Sequence, residues 1–587
     1  LLSELSNSNS AVRETIQSSF QLLADLTGNE VTELLAPVRE RLVAPIFAKP
    51  LRALPFAMQI GHIDAITYCL TLRPPFLDFN DELIRLLHEA LALADAEDQA
   101  LVSRSSQYKN ATSLMNLRIV CIKLLSAAMA CSDFSNQRQT HTRARIIQVF
   151  FKSLYSKAPE VVEAAHRGLK QVLAQQHKLP KELLQQGLRP ILTTLSNHKT
   201  LSVAGLEGLA RLLELLTNYF KVEIGKKLLD HLKQWAEPKV LQEAASKNLS
   251  ENHEVKIIVA ILNIFHLLPA AAHIFLDDLV TVVLEMEGHL RRSISSPFRP
   301  NLIKYLNRYP TETVAYFYDR LDQPRHSRLF IDVLNTENAE QLRDEVAKSP
   351  KVLIEKTFHV ADNAAMHYQG VLIVREIVAN DPNWLLGQPE LLECLLALWR
   401  SPARFDIMKK DDEQGLQMTH ESMYLSQIFI SYLRLNPDNI ELTFEVAALF
   451  AQESVMDLSY LREFFLNDVA LNYSAERKRL IVDKFLQQYS DISVSPYLRM
   501  MTLRHVINPA LLVTITRKDG NCAQVLNAKI MEQLHSKIWG NFSFDSGAKM
   551  LSNLAGIICA WKTLLANKLP MSSLLASSLH LRLPARL

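Results

Sequence analysis

The feature that most constrains this chain is self-similarity at a fixed interval. The stretch 159-PEVVEAAHRGLKQVLAQQ-176 places Val161, Val162, Ala165, Leu169, Val172 and Leu173 at steps of three and four, so they share one helical face. Pro159 suits a first turn, where its missing N–H has no partner to lose. Sliding along to 200-TLSVAGLEGLARLLELL-216 puts Val161 on Leu201, Ala164 on Ala204, Gly168 on Gly208, Leu169 on Leu209, Val172 on Leu212 and Leu173 on Leu213. An offset of about 40 residues between amphipathic helices with small residues at matching places is the period of HEAT or armadillo repeats. One such hairpin cannot hide its apolar face alone, so neighbours must stack into a continuous core. The predicted fold class is all-α, a solenoid of HEAT-like helical hairpins.

Composition agrees where it bears on this. The 587 residues include only 15 glycines, where average usage gives roughly 40. The 24 prolines mostly punctuate helical segments, as in 179-LPKELL-184, 268-LPAAAH-273 and 381-DPNWLL-386. Hairpins can be followed almost throughout. Asn80 is placed to cap a helix whose stripe is Leu83, Leu87, Leu91 and Ala94, and further helices are predicted over 113–130, 143–155, 252–269, 274–290, 388–399, 440–453, 458–473 and 475–489. Two polar stretches, 95–113 and 408–422, are predicted as protruding loops.

The solenoid is predicted over residues 1–545. From Met550 to Leu587 there is no Asp or Glu, so 546–587 reads as an atypical tail, mis-framed or disordered. A first residue of Leu rather than Met suggests a piece of something longer.

The chemistry of known sites finds little purchase. His166, in the opening stretch, reads as a flank or packing residue, because zinc needs three or four convergent ligands and neither HExxH nor Cys/His spacing joins it to His141 or His177. His420–Glu421 is placed in the second polar loop without a partner. No GxGxxG, GxxxxGK[ST] or GxSxG occurs, and 205-GLEG-208 sits inside a helix, where its glycines favour close packing. The segments 166-HRG-168 and 78-DFN-80 fail the kinase signatures. Catalytic, cofactor-binding and metal-binding residues are therefore assigned to none, and no cofactor is expected.

Six cysteines (Cys69, Cys121, Cys131, Cys394, Cys522 and Cys559) form no CxxC pair and read as reduced, mostly buried thiols. Net charge is +2, from 64 basic and 62 acidic residues, which argues against a general phosphate-binding surface. The basic runs 138-RQTHTRAR-145 and 477-RKR-479 read as solvated helix faces, and no direct sequence-specific nucleic-acid binding is expected. Aromatic 316-YFYDRL-321 and 464-FF-465 read as core. No uninterrupted apolar run reaches about 18 residues, so no membrane association is expected.

Four segments carry a resemblance: 58-MQIGHIDAITYCLTLRPPFLDFNDELIRLLHEALALADAED-98, 144-ARIIQVFFKSLYSKAPEVVEAAHRGLK-170, 297-PFRPNLIKYLNRYPTETVAYFYDRL-321 and 357-TFHVADNAAMHYQGVLIVREIVANDPNWL-385. Together they resemble the transformation/transcription domain-associated protein (TRRAP/Tra-one) family over roughly residues 1–546. The resemblance implies an internal part of a HEAT solenoid that, in the family, precedes a FAT region and a kinase-like domain without kinase activity. It implies a nuclear, non-enzymatic scaffold of SAGA- and NuA-type histone acetyltransferase complexes. The expected partners are complex subunits and activators with acidic-hydrophobic segments. Two other readings compete: an importin-type transport receptor, disfavoured by the near-neutral charge, and a fragment of an active phosphoinositide-3-kinase-related kinase.

Overall fold

Every regular element among the described residues is a helix, and none is a strand. The computed structural model describes residues 2–97, 111–135, 139–175, 179–246, 248–291, 295–489, 493–510 and 513. The predicted tail at 546–587, Cys522, Cys559 and most of the predicted loop 95–113 lie outside them. The chain divides into two compact units, one ending at Tyr309 and one beginning at Pro310.

In the first unit the helices form two layers. Helices Phe56–Thr71, Ala111–Met129, Pro159–Gln175, Val203–Leu216, His253–Phe265 and Arg299–Arg308 pack in chain order, each on the next. Behind them lie Asp81–Asp95, Thr140–Ser153, Lys181–Thr194, Glu223–Trp235 and Leu276–Leu290, each packed on the front-layer helix that follows it. Local chemistry sets the helix starts: Asn80, Ser202 and Asn252 accept from the backbone N–H of Leu83, Gly205 and Val255. Ala111–Met129 contains a stretch long and apolar enough to cross a membrane, but it packs against Phe56–Thr71, Asp81–Asp95 and Pro159–Gln175. Its apolarity serves packing on several sides.

The 40-residue alignment is displaced by one turn. The helices begin at Pro159 and Val203, so the structural register is 44 residues. Four residues are close to one 3.6-residue turn, and an apolar stripe looks nearly the same after that shift. Gly168 and Gly208 are therefore not equivalent positions. Both still sit where helices approach closely: a Cβ on Gly168 would lie 2.9 Å from the Phe150 ring, and one on Gly208 2.7 Å from the Leu154 carbonyl oxygen. Gly205 has another role, since its N–H donates to the cap at Ser202.

Polar bridges between repeats span about one period. Ser126 Oγ donates to Gln171 Oε1 at 2.6 Å, Asn301 Nδ2 to the Val259 carbonyl at 2.9 Å, and Lys233 Nζ pairs with Asp278 at 3.0 Å, at separations of 45, 42 and 45 residues. The second unit repeats the pattern. Trp384 Nε1 donates to the Ala347 carbonyl, Arg400 pairs with Glu445 and Arg477 with Asp438, across 37, 45 and 39 residues.

In the second unit Pro324–Leu334 packs on Ala364–Asn380, which packs on Glu413–Leu435. Here two expectations fail. Residues 408–422 are not a protruding loop, because Asp412 caps a helix that starts at Glu413 and runs to Leu435. Glu421 does not lack a partner: it is buried, and its Oε1 meets Arg404 Nη2 at 2.7 Å. Arg404, itself 1% exposed, also donates to Ser422 Oγ and twice to the Leu398 carbonyl. The arrangement fastens the short helix Arg404–Met408 to the long one. His420 stacks near Tyr424, with ring centroids 6.3 Å apart.

The aromatic expectations hold except at Tyr316, which is half-buried with Arg320 over its ring. Phe317, Phe464 and Phe465 are fully buried, and Tyr318 nearly so. The predicted helix over 458–473 breaks into Ser459–Glu463 and a π-helical stretch Phe464–Ala470, which packs against a second π-helical stretch, Leu503–Ile507. Cys69, Cys121 and Cys131 are buried free thiols and Cys394 is half-buried; burial pushes Cys69 and Cys121 up to about 12.

Candidate docking groove

The opening stretch of sequence is both a packing element and the wall of a groove. The groove crosses the front layer of the first unit, with a volume of about 850 Å³. Its apolar lining comes from Leu70, Ile119, Ala127, Ala130 and Ala164. Small side chains there leave the space that larger ones would fill. Thr67, Thr71, Ser126 and Gln171 supply polar groups along it.

Four cations line the groove, one from each successive front-layer repeat: Arg73, Lys123, Arg167 and Arg211. The last three recur at 44-residue intervals in the sequence. Arg167 and Arg211 hold matching positions in helices that begin 44 residues apart, whereas Lys123 sits about one turn later in its own helix, which begins 48 residues before the next. Two carboxylates, Glu160 and Glu163, share the lining, so its formal charge is positive. Glu163 is engaged by both arginines: Arg167 Nε lies 3.0 Å from its Oε1, and Arg211 Nη2 3.7 Å from its Oε2. The hydrogen bond from Arg167, with Arg211 close by, holds the Glu163 carboxyl below the usual range. Arg211 also reaches Glu214 at 3.4 Å. Lys123 and Arg73 are exposed at the other end.

His166 sits just behind this wall. Its side chain is 12% exposed, and its Nε2 comes 3.1 Å from Glu214 Oε2 without hydrogen-bond geometry. Burial holds the imidazole below its ordinary pKa, outweighing the opposing pull of Glu214. The structure thus places His166 beside a carboxylate of the next repeat. His141 is exposed on Thr140–Ser153, and His177 lies outside the described residues. Among the described residues no group of three His, Cys, Asp or Glu side chains converges as a metal-binding set.

The basic runs are only partly solvated faces. Thr142 is buried and Arg143 half-buried, whereas His141 and Arg145 are exposed. Arg477 is half-buried and paired with Asp438, Arg479 is exposed, and Lys478 between the two arginines is buried. Inspection of the sequence missed the cation row. Its signal was the spacing of Lys123, Arg167 and Arg211 at 44-residue intervals, and helix packing brings the three to one face although Lys123 sits later in its helix.

Known proteins have related sequences. The chain is 35% identical over 560 residues to the SAGA complex/NuA4 acetyltransferase complex subunit TRA1 of Saccharomyces cerevisiae, covering 92% of this chain and 15% of that protein. It is 36% identical over 579 residues to the subunit Tra1 of the same complexes from Schizosaccharomyces pombe, covering 95% and 15%. Against the transformation/transcription domain-associated protein of Homo sapiens it is 28% identical over 558 residues, covering 89% and 14%. The chain spans about 15% of the length of the curated fungal relatives it matches. Among solved structures, Kap121p bound to Pho4p aligns with 92% of this chain and 53% of its own length, at 14% identity and a TM-score of 0.41. The family model of the Tra1 HEAT repeat ring region matches residues 1–575, and with it the repeated two-layer helical architecture receives its place: this chain belongs to the Tra1 HEAT repeat ring family.

Proposed function

We propose that the chain is a non-catalytic scaffold segment of a nuclear histone acetyltransferase complex of the SAGA/NuA4 type, and that its groove receives the acidic, hydrophobic segment of a transcription activator. The row of cations at one per repeat, set over an apolar lining, carries this reading. Packed helices stand about 8–10 Å apart, and a chain in the polyproline II conformation advances about 3.1 Å per residue with about three residues per turn. Acidic residues at every third position of such a peptide would share one face and meet successive cations. Apolar side chains between them would face Leu70, Ile119 and the alanines. The Thr67 and Thr71 hydroxyl oxygens, which donate within their own helix, would accept from its backbone N–H groups, and the Gln171 amide, held by Ser126, would donate to its carbonyls. The fungal relatives are named as acetyltransferase-complex subunits, which supports the wider scaffold reading.

Binding of this kind is weak for each contact, because ordering the peptide opposes association. Lys123 and Arg73 offer the cleanest test, since Arg167 and Arg211 already hold Glu163. Reversing both, Lys123→Glu with Arg73→Glu, turns two attractions into two repulsions, about 2 kcal/mol or roughly thirtyfold in affinity. Fluorescence anisotropy of a labelled acidic activation-domain peptide with the full chain measures this. An affinity that the double reversal leaves unchanged would count against the groove.

A further inference from the structure

The back layer of the first unit carries a second surface of different character. Helix Lys181–Thr194 turns Leu183, Gly187 and Ile191 into the core. Leu184, Leu188 and Leu192 form a row at every fourth residue beside that face, and the row grows more exposed along its length: Leu184 is buried, Leu188 half-buried and Leu192 47% exposed. Tyr219, 43% exposed, closes the row from the neighbouring turn Thr217–Tyr219. A parallel row follows at the same spacing: Lys181, Gln185 and Arg189. Together they line an open groove of about 820 Å³. No carboxylate lines it, and neither Lys181 nor Arg189 enters an ion pair among the described residues. Solvent-facing sides of repeat helices are ordinarily polar, and single exposed leucines are common, but an aligned leucine row capped by a tyrosine marks a contact surface.

We propose that this seam docks one amphipathic α-helix of another protein, with leucine-like side chains on one face and Asp or Glu along its flank. The acids would face Lys181 and Arg189, and the apolar face would pack between Leu188, Leu192 and Tyr219. A helix fits better than a strand. An extended chain would bring unpaired N–H and C=O groups against leucines that cannot satisfy them, whereas a helix arrives with its backbone bonds already made. The front-layer groove differs in carrying two carboxylates, Glu160 and Glu163, where the seam has none. The two surfaces are therefore distinct, and their tests separate.

The probe is a labelled, lactam-stapled helical peptide of Leu, Ala and Glu, with a twin in which every Glu is Lys, titrated by anisotropy into the full chain. The acidic helix is expected to bind saturably, and the basic twin at least about tenfold more weakly. Arg189→Glu should invert that preference, Leu192→Asp should abolish binding, and Lys123→Glu should change nothing. Both substituted side chains are largely solvent-facing, and thermal unfolding followed by circular dichroism checks that the fold survives; should Leu192→Asp unfold the chain, Arg189→Glu decides alone. Absence of saturable binding by the acidic helix overturns the proposal, as does equal binding of the twins or indifference to either substitution. Sedimentation velocity supplies the last arm: a dimer of the chain that Leu192→Asp dissolves would assign the seam to a second copy and overturn the proposal.

Discussion

Replacing Arg404 with methionine removes one half of a sealed ion pair and leaves the other half stranded. The Arg404 and Glu421 side chains are 2% and 5% exposed, and their charged atoms lie 2.7 Å apart. Loss of the arginine leaves Glu421 with a buried charge and no counterion, which costs about 3–5 kcal/mol. The Leu398 carbonyl loses two donors at the same time, at 3.1 and 2.6 Å, adding to the penalty if water cannot reach it. Pairing Arg404→Met with Glu421→Leu removes both charges, and such exchanges are often close to neutral. The double variant should therefore regain about 3 kcal/mol of what the single variant loses, leaving mainly the unsatisfied carbonyl. Repeat proteins distribute stability between neighbours, so the loss should be local. Hydrogen exchange across Arg404–Met408 and Glu413–Leu435 in the full chain, with urea titration of both variants, reads it directly. A single variant that loses less than about 1 kcal/mol, or a double variant as weak as the single, would refute the account.

The same reasoning extends to acid and to packing. Burial holds the imidazoles of His166, His266 and His505 below their ordinary pKa, so the folded chain favours their neutral forms. Their contribution to stability is complete above about pH 6.5 and is lost as the pH falls below it, since the unfolded chain takes up protons first. The midpoint of thermal unfolding should fall between about pH 7 and 5, and His166→Gln should shallow that slope. Gly208→Ala places a methyl group 2.7 Å from a backbone oxygen that cannot turn aside, and should cost about 1–3 kcal/mol by urea titration.

Much of the fold could be read from local chemistry. Asn80 and Asn252 cap the predicted helices, and Pro159 opens one, because the signals they carry act within a single turn. The failures arise where distant packing decides. Residues 409-KKDDE-413 look like a solvated loop, yet the helix that begins there buries Gly415, Glu421, Ser422 and Ser426, a face too polar to show as an apolar stripe. Arg404 and Glu421 are 17 residues apart and carry no periodic signature, so only the meeting of two helices reveals them as partners. The π-helical stretch at Phe464–Ala470 interrupts a segment whose apolar spacing reads as continuous α-helix, and it packs against Leu503–Ile507, about one period along the chain. The front-layer groove lay between these cases. Its side chains were plain in the sequence, but their alignment depended on helix offsets of 48 and 44 residues that stripe patterns alone could not separate from 40.

The bridges from Ser126 to Gln171, Lys233 to Asp278 and Arg400 to Glu445 each reach about one period along the chain. That short reach suits a protein made on a ribosome. A hairpin emerging from the exit tunnel finds its partner already assembled, and at about 5–20 residues per second each repeat waits only a few seconds for the next. Nascent helices therefore expose their oily sides briefly, one hairpin at a time, which lets so long a chain grow without gathering sticky surface as it is synthesised.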